Sequence, residues 1–329
     1  MHSDIVLGIT IGDPAGIGPE VTLKALTAAP QLGIIPVVIA RRAVLEAHYS
    51  DLLAGFTILS GKSQLQDLVS GNSYLYDVDA DWPIPAPGAG SVHTGAESKA
   101  YIDAAIDLVR SNALEAMVTG PVSKGFIEKS GTPFTGHTEY IAERLSESHP
   151  VMMMYSRRYR VILVTTHLSL EVVSKRIDVE GIYRTIRTGY RALSFIDEGP
   201  VRMAIAGLDP HCGDDGTIGD FDKRCTAVAV ERARGAGIDI DGPVAADTLF
   251  MPERWKQYNL VVAHYHDQGL IPFKMVAFRR GVNVTLGLSI TRTSVDHGTA
   301  YDIAGRGIAR FSSMVEAIKL AAVLVGKKR

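Results

Sequence analysis

IVLGITIGDPAGIGPE, residues 5–20, carries the reading that decides the fold. The apolar run Ile5–Ile11 reads as a strand, and the glycine-rich turn Gly12–Glu20 after it opens a helix. Glycines allow the tight turn, and exposed N–H groups at a helix start attract an anion. The spacing is not GxGxxG, so the usual dinucleotide fingerprint is absent. Gly88–Gly90 fails it too, because position 93 is His and no strand precedes it. Taken alone, GDPAGIGPE fits a structural strand–helix turn as well as it fits an anion site.

The same alternation continues outward. Candidate strands are Ile34–Ala40, Ala116–Thr119, Val201–Ala206, Asn259–His264 and Val284–Ile290, and Val151–Tyr155 with Tyr159–Thr165 looks like a hairpin. Ile182, Ile186, Tyr190, Leu193 and Ile196 share one helical face, and further helices are expected over 96–109 and 314–325. Strands alternating with helices predict an α/β protein with a largely parallel sheet. Pro83–Gly90, PIPAPGAG, suits a linker or surface loop.

The 329 residues suffice for two domains, and the 46% hydrophobic, 21% charged composition is that of a globular chain. A formal charge of -2 without a basic run argues against nucleic acid or an acidic membrane as partner. The opening MHSDIVLGIT lacks the pattern of a secretory leader, and no apolar segment approaches a membrane span. Cys212 and Cys225 are too few for a disulfide framework. A cytoplasmic location is expected.

Three histidines, His167, His211 and His266, close the stretches VILVTTH, VRMAIAGLDPH and NLVVAHYH. Open α/β sheets bind ligands outside the carboxyl ends of their strands, where three imidazoles can converge on one divalent metal and leave positions open for substrate. A single histidine in such a place is more often structural. Three in matching contexts, with Asp214, Asp215 and Asp267 close by, favour a metal. His264 shares a strand face with His266, and spacing does not choose between them. Asp247 and Asp267 are candidate proton acceptors or partners that orient an imidazole.

TGPVSK, 119–124, and FTGHTEY, 134–140, place hydroxyls and basic groups in glycine-containing loops. His137 and Thr138 suit a phosphate or carboxylate near a helix start; equally, Thr138 suits an N-cap with Glu139 in the first turn. Lys274, Asn283 and Arg292 add two cations and an amide of the kind that grips a phosphate.

Together with LVTTHLSL, GLDPH, AADTLF, YHDQG and TRTSVDHGTAYDIAG, these segments resemble the 4-hydroxythreonine-4-phosphate dehydrogenase family of vitamin B6 biosynthesis, in order from residue 12 to residue 307. GIGPEV and HGTAYDIAGRGIA are also similar to isopropylmalate dehydrogenase, within the wider β-decarboxylating group. That resemblance implies a two-lobed isocitrate/isopropylmalate dehydrogenase-like α/β fold with a cleft between lobes. Residues 1–123 and 268–329 would form the cofactor-side lobe, and 124–267 the metal, substrate and dimerisation lobe.

By the same resemblance, His167, His211 and His266 are metal ligands shared across a homodimer, for zinc, magnesium or cobalt; preceding DQG selects His266 over His264. His137, Thr138, Lys274, Asn283 and Arg292 match substrate positions. Gly12 and Asp13, with Thr291, Ser294, Val295, Asp296 and His297 of the loop 291–305, match a site for NAD or NADP in a fold that lacks GxGxxG. Asp247, Asp267 and Lys274 fall to catalysis. The implied reaction is oxidation of 4-phosphohydroxy-L-threonine to a 3-oxo acid that decarboxylates to 3-amino-2-oxopropyl phosphate; the alternative substrates are 4-phospho-D-threonate and 4-phospho-D-erythronate. The family usually has Asn-Pro-His-Ala-Gly-Glu where this chain has Asp209–Asp214, and Asp209, Cys212 and Asp215 bear on metal affinity and substrate choice. A metal-dependent hydrolase and a non-catalytic phosphate-binding protein are the rivals from other classes.

Overall fold

The structure, a computed structural model, describes residues 4–28, 33–197 and 199–327. Met1–Ser3 of the opening segment lie outside the described residues. Twelve strands occur among those described: β1 (Ile5–Thr10), β2 (Ile34–Ala40), β3 (Phe56–Leu59), β4 (Ser73–Asp77), β5 (Ala116–Thr119), β6 (Val151–Tyr155), β7 (Arg160–Leu163), β8 (Arg202–Ala206), β9 (Asp239–Val244), β10 (Leu260–Ala263), β11 (Val282–Leu286) and β12 (Thr291–Val295). The chain divides into two compact units, Met1–His149 with Leu288–Arg329, and Pro150–Gly287.

In the first unit the strand order is β3-β4-β2-β1-β5-β12, and every pair is parallel. All seven residues of β2 are buried, as expected of a near-continuous apolar run in a covered parallel sheet. β1 is flanked by β2 on one side and β5 on the other. The carboxyl ends of β1 and β5 therefore form a switch point, where such sheets take ligands. The helix Val92–Arg110 begins with a reciprocal Ser91–Thr94 capping box and buries Tyr101, Ile102, Ala105 and Ile106.

In the second unit the order is β11-β6-β7-β10-β8-β9. β7, β10, β8 and β9 are mutually parallel, while β6 runs antiparallel to both β7 and β11. Met154, Leu163, Ala263, Trp255 and Phe273 pack into one core cluster. The helix Val179–Ile196 buries Ile182, Ile186 and Leu193; Gly189 lets it approach Leu260, whose Cδ2 would be 2.6 Å from a Cβ there. Among the described residues no helix is long and apolar enough to cross a membrane, and Cys212 and Cys225 are free thiols.

Several expectations shift. Pairing places 150–155 and 282–286 together, so of the two compact units the first takes in residues 124–149 and the second 268–287. The strand expected over 284–290 is β11, ending at Leu286. Thr291–Val295, expected as the start of a loop, is instead the buried strand β12. His266 is on no strand: it is the first residue of the helix His266–Ala277, which ends the supposed shared face with His264. Gly136, not Thr138, is the N-cap of the helix His137–Arg144, though Glu139 does occupy its first turn.

Candidate functional site

At the switch point of the first unit, the loops after β1 and β5 are tied together: Asp13 N–H donates to Pro121 O and Gly120 N–H to Thr10 O, each at 2.8 Å. Gly12 has φ +73°, and a Cβ there would stand 2.2 Å from Pro121 O, so only glycine permits this approach. Beyond β5, Ser123 caps the short helix Lys124–Lys129. From β12, Arg292 reaches the same region, where its Nε and Nη2 donate to Thr119 Oγ1 at 3.1 and 2.7 Å.

Arg292 is only 2% exposed. Burial pulls its pKa down to about 9, partly offset by the Glu139 carboxylate, and it stays cationic at neutral pH. His137 is held well below the usual histidine range by burial and by the positive charges of Arg292 and Lys124. Its Nε2 is shut from solvent with no hydrogen-bond partner in the protein. A buried polar atom left unmet beside cationic groups fits an anionic ligand that supplies the missing partner. Thr138, one residue on, is buried in the same helix start.

Lys274 and Asn283, the remaining expected substrate residues, belong to the second unit: Lys274 is exposed on the helix His266–Ala277, and Asn283 lies in β11 with its Oδ1 buried and unpartnered.

The expected cofactor residues serve the packing of the first unit in different ways. Asp13 is fully buried. Its Oδ1 accepts from Ala15 N–H at 2.9 Å, and its Oδ2 accepts from Tyr301 Oη at 2.7 Å and Thr94 Oγ1 at 3.1 Å. Burial nonetheless pushes its carboxyl pKa up. Ser294 Oγ donates to Thr119 O, and Thr291 and Val295 are buried in β12. Asp296 N–H donates to Ser313 Oγ, while His297 has a buried Nε2 with no protein partner, an opening for a ligand's polar group. GDPAGIGPE and the late loop hold each other: Ile17 N–H donates to Thr299 O, Glu20 accepts from the Gly307 and Ala309 amides, and Lys24 donates to Gly307 O.

In the second unit the histidine-bearing segments all follow parallel strands: His167 after β7, His211 after β8 and His266 after β10, with Asp247 after β9. The His167 and His266 rings lie 5.8 Å apart between centroids. Both line a cavity of about 280 Å3 with Thr166, Leu168, Tyr265 and Asp267. His266 Nδ1 contacts Asp267 Oδ1 at 2.6 Å, so the carboxylate orients the imidazole. His211 is not brought to them. Among the described residues no three histidine, cysteine or acidic side chains of the single chain are placed to hold a metal. Two neighbouring imidazoles are chemically suited to a borderline divalent cation, but on their own they are a partial set.

His211 heads a left-handed turn, with φ of 51°, 58°, 87°, 45° and 53° from His211 to Asp215. Such backbone is costly for any residue but glycine and needs firm support. The support was not visible in sequence. Buried Asp222 accepts from the Leu208 and Asp209 amides, each at 2.9 Å, and from Thr226 Oγ1 at 2.7 Å. Thr226 meets His264 Nε2 at 3.2 Å, and Gln268 bridges His264 N–H to Gly207 O, each at 2.7 Å. His264 is thus a fully buried brace, its pKa lowered by burial to about 4 against the opposing pull of Asp222. Asp209, the departure from the family's Asn, turns its Oδ2 to the Phe221 amide at 3.3 Å. Only Gln268 carried a signal, inside the motif YHDQG.

Parallel strands with buried Arg292 and His137 near the switch point of one unit, and imidazoles after the parallel strands of the other, place the chain among α/β proteins. The model of the pyridoxal phosphate biosynthetic protein PdxA family matches residues 34–321, and the chain belongs to that family. A protein named 4-hydroxythreonine-4-phosphate dehydrogenase from Sulfurihydrogenibium sp. (strain YO3AOP1) is 39% identical over 325 residues, 97% of this chain and 98% of the relative. The crystal structure of 4-hydroxythreonine-4-phosphate dehydrogenase from Klebsiella pneumoniae matches with a TM-score of 0.85 at 34% identity, covering 98% of each chain. A β-decarboxylating dehydrogenase from Thermococcus kodakarensis shares the fold alone, with a TM-score of 0.50 at 15% identity over 97% of this chain and 81% of that one.

Proposed function

We propose that the protein is an NAD-dependent, divalent-metal-dependent oxidoreductase acting on 4-phosphohydroxy-L-threonine. The secondary alcohol is oxidised to a 3-oxo acid, which loses carbon dioxide to give 3-amino-2-oxopropyl phosphate. The observation that carries this reading is a buried Arg292, anchored on Thr119, whose charge acts on a buried His137 with an unpartnered Nε2. Full-length similarity to relatives bearing that enzyme's name supports it.

His137, Thr138 and Arg292 bind the phosphate, and Lys274 and Asn283 contribute further charge and hydrogen bonding to the substrate. Holding the ligand by its remote phosphate fixes the position of the reacting carbon. His167, His211 and His266 hold the cation, with sets completed between two copies of the chain. When bound, the cation supplies Lewis-acid polarisation of the alcohol oxygen and of the group beside it. Asp267 orients His266. Asp247, exposed at the end of β9 with Oδ1 accepting from Thr248, takes the alcohol proton. The 291–305 segment, with His297 Nε2 open to a partner, holds the nucleotide. When bound, the nicotinamide supplies the hydride acceptor.

A homodimer is part of this reading, since the family resemblance has the histidine ligands shared between two copies. The second copy suits the apolar stripe Ile271, Met275 and Phe278, spaced i, i+4, i+7 on the helix that carries His266 and at its end; Met275 is 81% and Phe278 65% exposed. The test is NADH formation from 4-phosphohydroxy-L-threonine against 4-phospho-D-threonate and 4-phospho-D-erythronate, with and without added divalent metal. Preferred turnover of either acid would move the substrate within the family. No nucleotide reduction with any of them would end the proposal.

A further inference from the structure

Tyr301 lies in a slot that the chain has cleared for it. A Cβ on Gly90 would stand 2.5 Å from Tyr301 Cζ, and a Cβ on Gly88 2.9 Å from Tyr301 O. Phe126 meets the ring edge-on at 6.3 Å between centroids. The glycine end of the PIPAPGAG segment therefore leaves room for Tyr301, while Pro83 and Pro85 accept from Arg41 and His48. At the ring's far end the hydroxyl donates to Asp13 Oδ2 at 2.7 Å, and that carboxylate is itself held by Ala15 N–H and Thr94 Oγ1. Just before Tyr301, Ala300 sits at φ 42°, left-handed backbone that needs an anchor to persist. Four residues upstream is His297, with its buried, unpartnered Nε2.

We infer that Tyr301 is a positioning residue for nucleotide binding: its hydroxyl, bonded to Asp13, latches the 296–304 segment in the conformation that presents His297 to the nucleotide. The inference rests on the proposed nucleotide role of that segment. Asp13 accordingly acts through Tyr301 rather than by touching the ligand, because it is fully buried inside the protein. The remainder of the loop does not depend on this latch, since Glu20 and Lys24 separately grip Gly307 and Ala309.

Tyr301→Phe removes the hydroxyl and keeps the ring in its slot. NAD and NADP are titrated into wild-type and variant protein by calorimetry, with inorganic phosphate as the probe of the His137–Arg292 pocket. The nucleotide Kd is expected to rise about five- to tenfold, the worth of one charge-assisted hydrogen bond, while phosphate affinity stays unchanged and Tm falls by a few degrees. KM for the nucleotide should rise with kcat within about twofold of wild type. Unchanged nucleotide affinity, or equal loss of nucleotide and phosphate binding, overturns the inference. Wild-type protein that binds neither nucleotide overturns the reading beneath it, and the inference with it. Should the variant fold poorly, hydrogen exchange of wild type decides: protection by nucleotide at 296–304 supports the latch, and its absence there refutes it.

Discussion

Arg292 and Thr119 sit on neighbouring parallel strands, and two nitrogens of the guanidinium converge on the single threonine hydroxyl. The contact fixes the plane of a buried cation before any ligand arrives. A lysine cannot reproduce a fork anchored at two points. Arg292→Lys is expected to raise KM for the phosphorylated substrate by about tenfold or more, with a smaller effect on kcat. Steady-state kinetics at varied substrate checks this, and an unaltered KM would remove Arg292 from the binding site.

His211 lies exposed at the head of its turn, so truncation leaves no cavity in the core. His211→Ala should fold with wild-type circular dichroism yet retain no stoichiometric metal after dialysis and show no turnover. Asp267→Asn should weaken metal binding by about 10- to 100-fold, the usual effect of losing a partner that orients a ligating imidazole. Metal content and cobalt absorption report both. Full activity in chelator-treated buffer would contradict the metal role.

Acid should destabilise the fold through two buried histidines. His137 and His264 both have folded pKa values below their unfolded values, His264 at about 4 against an unfolded value near 6.5. As pH falls below about 6.5 the unfolded chain takes up protons that the folded chain refuses, so stability drops from there to about pH 4 and is unaffected above. The slope of Tm against pH in that window should be shallower in His264→Gln. A slope identical to wild type would show that His264 is not the group responsible.

Gly12→Ala forces a Cβ against Pro121 O in left-handed backbone. Destabilisation of about 2–4 kcal/mol is expected from strain and displacement of the β5 loop, read from urea unfolding. A near-neutral result would mean the two loops part easily.

Met275→Glu places a charge in the apolar stripe of the helix His266–Ala277. Sedimentation should show a dimeric wild type and a monomeric variant, with metal affinity lost in parallel. A dimer that survives the change would locate the contact elsewhere.

β2, β5 and β6 were legible to the residue because each is a continuous apolar run. β12 was not, since TRTSV looks like a loop. The cost of burying its polar atoms is offset because Thr119, Ala317 and the β5 backbone accept from Arg292, Thr293 and Ser294. The strand-end placement of the three histidines could be anticipated from their context, whereas the brace of Asp222, Thr226 and Gln268 could not, because those partners lie far apart in sequence. The same holds for the two pieces shared with isopropylmalate dehydrogenase. They lie at opposite ends of the chain, and the structure shows them bonded to each other: Ile17 N–H donates to Thr299 O, and Glu20 accepts from the Gly307 amide 287 residues away.

The donors of the second unit each occupy the tip of a different strand, β7, β8, β9 or β10, so no two share a loop. Change can therefore enter at one tip without disturbing the register of the strands below. A descendant could exchange the turn after β8, where this chain carries Asp209 and Cys212, and acquire a new preference for its ligand on an inherited frame.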